Sequence, residues 1–255
     1  MSDDPYPFES DDDIEIRELD LESVDDLGEE RITISDLAGE HESWRYGHVI
    51  VDEAQDLTPM QWRMVMRRVR GRAMTIVGDL AQRSASVAGS WEELLPDELA
   101  TAQRQDLTVN YRSPAEIHEL AVAVLADFAP SVQPSRSIRS SGWAPEFRSI
   151  ADLEREVAEH IVVAMQAVGG QVAVITSDPR RLSATVAEHE GDERLRVLTP
   201  NQSKGLEFDA VILVEPAEIL AQRGGASQLY IALTRATQRL IVLHERPLPA
   251  VLQAV

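Results

Sequence analysis

Short apolar runs alternate with helix-like segments over most of this 255-residue chain. The runs that resemble buried strands are residues 48–51, 73–77, 107–109, 172–175, 195–198, 210–214 and 240–243. Helical patterns lie between them, over 58–70, 113–128 and 153–168, with weaker ones over 180–190 and 227–236. Strands that alternate with helices are typical of α/β units on a mainly parallel sheet. We therefore predict an α/β fold with parallel sheets.

Capping signals predict where the helices begin and end. Thr58 is a candidate N-cap followed by a first-turn proline, and Gly71 is a candidate helix stop. Residues 113–116 have the form of a capping box, and the helix after them is predicted to end near Phe128. Residues 130–145 contain several prolines and serines, and we expect a connecting loop there.

Charge is distributed unevenly along the chain, whose formal net charge is -20. Residues 1–30 contain 14 acidic residues and one arginine, which predicts a disordered acidic segment. That segment is either a solvated tail or an element that docks on a basic partner. The acidic balance argues against indiscriminate binding to nucleic acid, because phosphates require a basic surface.

Cysteine is absent from the sequence, which excludes disulfides and thiolate metal sites. No apolar run is long enough to span a bilayer, and the first residues lack the pattern of a signal peptide. A cytoplasmic protein is the expectation that follows.

Two polar segments follow predicted strands. Asp52 and Glu53 come directly after the run that ends at residue 51. Adjacent carboxylates at a strand end suit phosphoryl transfer, in which Asp52 would hold Mg²⁺ and Glu53 would activate water. A helix N-terminus that favours acidic residues would explain the same pair. Gln82 follows the next strand and could hydrogen-bond a terminal phosphate, although an ordinary turn is the simpler interpretation.

Two further segments contain arginines suited to phosphate. Arg112 could neutralise a phosphate in transfer and Tyr111 could stack on a base, although a local ion pair and a core tyrosine would also explain them. Lys204 and Gly205 precede the strand 210–214, where Gly205 predicts a turn. Arg235, placed by the pattern on the helix before the last strand, is a second candidate that faces phosphate.

Together these segments resemble the motif series of superfamily 1 helicases of the UvrD/Rep type. DEAQD resembles the Walker B element, GDLAQ motif III, NYRSP motif IV, residues 199–208 motif V and LYIALTRA motif VI. The stretches HVIVDEAQDLTPMQWRMVMRR and LYIALTRATQRL most resemble the HelD group, helicase-like ATPases that bind bacterial RNA polymerase. The resemblance covers about residues 44–245 and implies a RecA-like P-loop NTPase fold.

The resemblance also implies residue roles, with ATP and Mg²⁺ as cofactors. It assigns Asp52 to magnesium, Glu53 to water activation and Gln82 to sensing of the γ-phosphate. It assigns the remaining roles to motifs IV, V and VI. Arg112 and Arg235 act as arginine fingers, Tyr111 stacks on the adenine and Glu207 contacts the ribose. In the loop that couples nucleotide to nucleic acid, Gly205 is assigned to cofactor binding and Lys204 to nucleic-acid coupling.

Departures from the family pattern qualify these roles. A Walker A loop needs a lysine, but the single lysine of this sequence is Lys204 in motif V. We therefore expect the rear of a first RecA-like domain over 31–106 and a second over 107–255, which would act with a separate Walker A-containing part. Such a portion should expose apolar surface and bind ATP poorly alone.

Two more departures concern residues with which motor proteins of this family grip single-stranded nucleic acid or couple to it. Residues 201–203 lack the histidine common before Ser-Lys-Gly, and Arg83 and Ser84 replace the aromatic residue after Gln82. Both favour remodelling of RNA polymerase complexes over processive unwinding. The alternatives are a UvrD/Rep-type single-strand DNA translocase or helicase in repair, and a non-catalytic module that binds RNA polymerase. Either DNA or RNA is a possible nucleic-acid partner.

Overall fold

The computed structural model describes residues 45–83, 90–187, 189 and 191–253. The predicted acidic segment 1–30 lies outside the described residues. The predicted domain boundary between residues 106 and 107 stays a prediction.

A two-stranded parallel sheet opens the described chain. Strands β1 (Val49–Val51) and β2 (Met74–Ile76) pair with Ile50 opposite Thr75. Helix α1 (Pro59–Arg68) connects them, and Thr58 forms the N-terminal capping box with Gln61. The short helix α2 (Trp91–Leu94) follows.

A second parallel pair joins β3 (Val109–Asn110) to β4 (Arg136–Ser137), with helix α3 (Ala115–Phe128) between them. The predicted connecting loop 130–145 therefore contains one short strand. Helix α3 ends at Phe128, as the sequence pattern predicts.

The largest sheet has five parallel strands in the order β5-β9-β8-β6-β7. Its strands are β5 (Glu146–Ser149), β6 (Val172–Ile175), β7 (Leu195–Leu198), β8 (Phe208–Val214) and β9 (Ala236–His244). The remaining α-helices are α4 (Leu153–Ala167), α5 (Ser183–Ala187), α6 (Pro216–Leu220), α7 (Gly225–Leu233) and α8 (Ala250–Gln253). Short 3-10 turns cover Ala54–Asp56, Leu80–Gln82, Asp97–Leu99, Pro179–Leu182 and Asn201–Ser203. This architecture confirms the predicted α/β class with parallel sheets.

Both faces of the five-stranded sheet are covered. Val211 and Leu213 of β8 pack with α3 and α7 on one face, whereas Ala210 and Ile212 pack with α4 on the other. Alternate residues of a strand point to opposite faces, so a strand that is apolar at every position is buried on both sides.

The two-stranded sheet is covered on one face. Val51 of β1 packs in a cluster with Trp62 of α1, and Trp62 is 1% exposed. On the opposite face Ile50 is 72% exposed and Val77 is 45% exposed. Met60 and Met64 of α1 are also exposed.

Three local predictions need correction. Helix α1 ends at Arg68, and Gly71 lies beyond it in a turn with φ +68°. No capping box forms at 113–116, because the Ser113 hydroxyl donates to the Thr234 carbonyl and the Glu116 carboxylate binds Ser140. Each side chain thus has a tertiary partner in place of a helix cap.

The third correction concerns Arg235. Helix α7 ends at Leu233, so Arg235 lies in the link to β9 and is not helical. Among the described helices, none is long and apolar enough to cross a membrane.

Candidate functional site

The candidate site lies where the carboxyl ends of β1 and β2 meet the segments that precede β8 and β9. Asp52 follows β1 directly, is exposed, and its Oδ1 accepts the Glu53 N–H at 2.8 Å. Glu53 has a left-handed backbone with φ 49°. A non-glycine residue in that region costs on the order of 1–3 kcal/mol, and such residues cluster at functional sites.

Gln55 connects the first strand end to the second. Its side chain is 1% exposed, and its Nε2 donates to Glu53 Oε2 at 2.5 Å. Its Oε1 accepts the backbone N–H of Asp79 at 3.0 Å. A Cβ atom at Gly78 would lie 2.5 Å from that same oxygen and 2.7 Å from the Trp91 ring, so glycine is required there by close approach.

Asp79 continues the connection to Gln82. Its Oδ1 accepts the N–H of Ala81 at 2.9 Å, which caps the short turn that holds Gln82. Its Oδ2 accepts from Gln82 Nε2 at 2.9 Å. The carbonyl oxygen Oε1 of Gln82 in turn accepts from Arg235 Nη2 at 3.3 Å. A line of hydrogen bonds therefore joins the end of β1 to the segment before β9.

Arg235 is a buried cation, with 2% of its surface exposed. Its other hydrogen bonds reach the Ile231 carbonyl at 3.1 Å, the Leu206 carbonyl at 3.2 Å and the Thr234 hydroxyl at 3.1 Å. Every one of these acceptors is uncharged. No carboxylate of the described residues lies within salt-bridge distance of this guanidinium, although a buried charge without a counter-ion is costly.

The electrostatics of Arg235 place other predicted residues near it. Burial lowers the pKa of the Arg235 guanidinium, and the positive charge of Arg112 lowers it further. The negative charges of Glu53 and Glu207 oppose that change. Arg235 and Arg112 are therefore neighbouring cations, and their combined positive charge favours binding of an anion.

Arg112 lies at the end of β3, held by Asn110, whose Oδ1 accepts the Arg112 N–H at 2.9 Å. Its guanidinium forms an ion pair with Glu207. Tyr111 is 72% exposed, so its ring lies on the surface beside Arg112 and not in the core.

The remaining predicted residues lie in the loop before β8. Lys204 Nζ contacts Asp56 Oδ2 at 2.6 Å, which joins this loop to the turn after β1. Gly205 has φ +70°, which confirms the predicted turn. Ser227 of α7 makes a further connection, since its hydroxyl donates to the Ala81 carbonyl at 2.7 Å.

The structure thus brings together residues from all four predicted segments. Sequence reasoning assigned no role to Gln55, Asp56, Asp79 or Ser227. Gln55, Asp56 and Asp79 belong to the quoted motif runs, but the contacts of Gln55 with Asp79 and of Asp56 with Lys204 join separate segments, which the local pattern does not show. Nothing in the local pattern distinguishes Ser227.

Magnesium fits the donor set only in part. Among the described residues, no group of three or more metal-ligating side chains could hold a metal ion by itself. Asp52 offers one exposed carboxylate. This suits Mg²⁺ held mainly by nucleotide phosphates and water, which is the usual arrangement for that ion.

Two family models match the chain, one over the segment that contains β1 and β2 and the other over the segment that contains β8. The model of the UvrD/REP helicase N-terminal domain matches residues 22–83, which include Asp52, Glu53 and Gln82. The model of the UvrD-like helicase C-terminal domain matches residues 194–243, which include Lys204 and Arg235. Searched against curated proteins, the chain has no match.

Several solved helicases have a similar structure. The C-terminal domain of a possible DNA helicase from Lactobacillus plantarum WCFS1 is 19% identical, with a TM-score of 0.43 over 56% of this chain and 92% of that one. The PRRSV helicase is 16% identical, with a TM-score of 0.43 over 77% of this chain. Arterivirus nonstructural protein 10, a helicase solved with DNA, is 19% identical, with a TM-score of 0.46 over 80% of this chain.

This chain spans 34% of the length of the PRRSV helicase and 40% of the arterivirus protein. The family matches cover two separate segments, one on each side of the candidate site. Residues 22–83 and 194–243 are therefore similar to segments of the N-terminal and C-terminal domains of UvrD-like helicases.

Proposed function

We propose that this chain supplies the phosphate-responsive part of a superfamily 1 ATPase with RecA-like domains, in which Arg235 and Arg112 contact the terminal phosphates of ATP. The observation that supports this proposal most is the buried Arg235 guanidinium, whose described acceptors are all uncharged. A phosphate oxygen would supply the negative charge that this guanidinium lacks.

The roles of the other residues follow from their places around Arg235. Glu53 orients and deprotonates the attacking water, and Gln82, bonded to Arg235, responds to the γ-phosphate. Asp52 holds Mg²⁺, which neutralises phosphate charge when it is bound with the nucleotide.

On the other side of the proposed cleft, Tyr111 stacks on the adenine and Glu207 binds the ribose. Because Glu207 pairs with Arg112 in this structure, nucleotide binding requires the two side chains to exchange that pair for ligand contacts. Gly205 gives the loop before β8 its turn, and Lys204 couples that loop to nucleic acid.

A binding experiment with the full chain tests the proposal. The sequence contains no lysine for a Walker A loop, so we expect Mg·ATP to bind with a dissociation constant on the order of 1 mM. Nitrogen-15 NMR of the arginine Nε–H groups should show a shift at Arg235 when Mg·ATP or pyrophosphate is added.

Two substitutions locate that binding. Arg235→Met should abolish the response, and Arg112→Met, at a partly exposed position, should weaken it without a risk to folding. Arg196→Met is the matched control, because Arg196 is exposed on β7 and forms no ion pair with the described residues. An unchanged response in Arg112→Met, or micromolar binding with hydrolysis by the chain alone, would contradict the proposal.

We propose remodelling of RNA polymerase–nucleic acid complexes as the process that this ATPase drives. The supporting observation is the loop at 199–203, where the Gln202 side chain accepts the Thr199 N–H at 2.9 Å and the buried Ser203 hydroxyl donates to the Pro200 carbonyl at 2.7 Å. Both side chains therefore make hydrogen bonds within the loop itself.

A UvrD-type single-strand translocase is equally consistent with the two family matches, and a non-catalytic polymerase-binding module is the third candidate. A pull-down with purified RNA polymerase, using the chain with and without residues 1–30, separates them. Retention of the polymerase supports remodelling or the module, and ATP-dependent release supports remodelling alone. Tight single-strand binding that weakens steeply with salt, without polymerase retention, supports the translocase.

A further inference from the structure

The Gln55 side chain lies between the segments that follow β1 and β2 and forms hydrogen bonds with both. It is 1% exposed, and both ends of its amide have partners. The Nε2 group donates to the Glu53 carboxylate at 2.5 Å, while Oε1 accepts from the Asp79 backbone at 3.0 Å. A rotation of the amide by half a turn would place donor against donor and acceptor against acceptor, so its orientation is fixed.

Beyond Asp79 the connection runs to Gln82 and then to Arg235. The Asp79 carboxylate accepts from the Gln82 amide at 2.9 Å, and the Gln82 carbonyl accepts from the Arg235 guanidinium at 3.3 Å. Gln55 and Arg235 are buried and the bonds between them are part-buried. Hydrogen bonds shielded from water polarise one another, so a change in charge at one end alters the groups along the line.

We propose that Gln55 is a positioning residue that holds the Glu53 carboxylate and transmits its state, through Asp79, to Gln82. This inference rests on the proposed function, since it supplies the link between the group that activates water and the group that faces Arg235. Gln55 itself does not touch the nucleotide.

Gly78 supplies a second observation in favour of this link. The backbone just after β2 approaches Gln55 so closely that a Cβ at Gly78 would be 2.5 Å from Gln55 Oε1. The same backbone is held to the turn after β1 by the Ala54 N–H, which donates to the Val77 carbonyl at 3.0 Å. The amide is therefore clamped between the two strand ends.

The test uses the full chain labelled with nitrogen-15 glutamine, with the side-chain amide of Gln82 as the readout. Glu53→Gln removes the negative charge at the start of the line and should shift the Gln82 amide resonance. In a Gln55→Met background, which keeps the volume but removes the donor and the acceptor, the same substitution should give less than half of that shift, because coupled groups are not additive.

Gly78→Ala gives an independent variant that leaves every hydrogen-bonding group in place. It should reduce the transmitted shift by displacing Gln55, whereas Gly47→Ala, where nothing lies within 4 Å of the added Cβ, should not. This pair decides the question if Gln55→Met does not fold. An undiminished shift in Gln55→Met, or in Gly78→Ala, overturns the proposal.

Failure of the proposed function gives a different result. If Mg·ATP leaves the Arg235 resonance unchanged in the unsubstituted chain, the phosphate site is wrong. The transmitted shift from Glu53 to Gln82 would still be present and would still depend on Gln55. A phosphate response with no dependence on Gln55 is the reverse outcome, and it would overturn only the positioning role.

Discussion

The two sheets of this chain differ in how many faces they bury. In the five-stranded sheet, Val174 of β6 and Ile212 of β8 are 0% exposed, as are their neighbours that face the other way. In the two-stranded sheet, Val51 is buried but Ile50 is 72% exposed. The five-stranded sheet is therefore packed on both faces. The two-stranded sheet, which carries Asp52, Glu53 and Gln82 near its strand ends, is packed on one face. We infer that stability resides mainly in the five-stranded sheet, whereas much of the proposed chemistry belongs to the smaller one.

Removing side-chain volume from the five-stranded sheet should therefore have the largest effect. Ile212 lies between Val174 of β6 and Ile241 of β9 and packs against α4. Ile212→Ala should lower the free energy of unfolding by about 2–5 kcal/mol, since it leaves a cavity in a closed core. Urea denaturation followed by circular dichroism measures this. A loss smaller than about 1 kcal/mol would show that this core is not the main source of stability.

An intermediate effect is expected where the two sheets are joined. The Lys204–Asp56 ion pair connects the loop before β8 to the turn after β1, and the Lys204 side chain is 13% exposed. Partial burial shields the pair from solvent, so we expect a coupling energy of about 1 kcal/mol. The double-mutant cycle of Lys204→Met and Asp56→Asn, measured by denaturation, isolates it. Additive single substitutions would show that the pair does not join the sheets energetically.

The sequence predicted the strongly periodic helices and strands of the five-stranded sheet well. Helix α4 and strands β6 and β7 agree closely with their apolar patterns because the apolar residues of each pattern pack into or against the core of the sheet. The predicted capping box at Ser113 was wrong because the hydroxyl donates to a backbone carbonyl more than 100 positions away. A local pattern cannot include such a partner.

The site was predicted less completely than the fold. Residues at strand ends were recognised from residue type and order, but the link through Gln55 depends on an approach between β1 and β2 across 24 residues. The buried state of Arg235 likewise depends on Leu206 and Ile231 carbonyls that have no sequence signature. The contacts that orient these groups come from tertiary structure.

The smallest effect is expected at Ile50, on the open face of the two-stranded sheet. Ile50→Thr keeps a β-branched residue, which suits the strand, and removes apolar surface that is already in water. The free energy of unfolding should change by no more than about 0.5 kcal/mol, whereas Ile212→Thr would bury a hydroxyl in the closed core and cost several times more. Urea denaturation of both variants gives the ratio. A loss above about 1 kcal/mol at Ile50 would mean that this face is covered in solution. Sedimentation at several concentrations would then show whether a second copy of the chain covers it, since that contact strengthens with concentration.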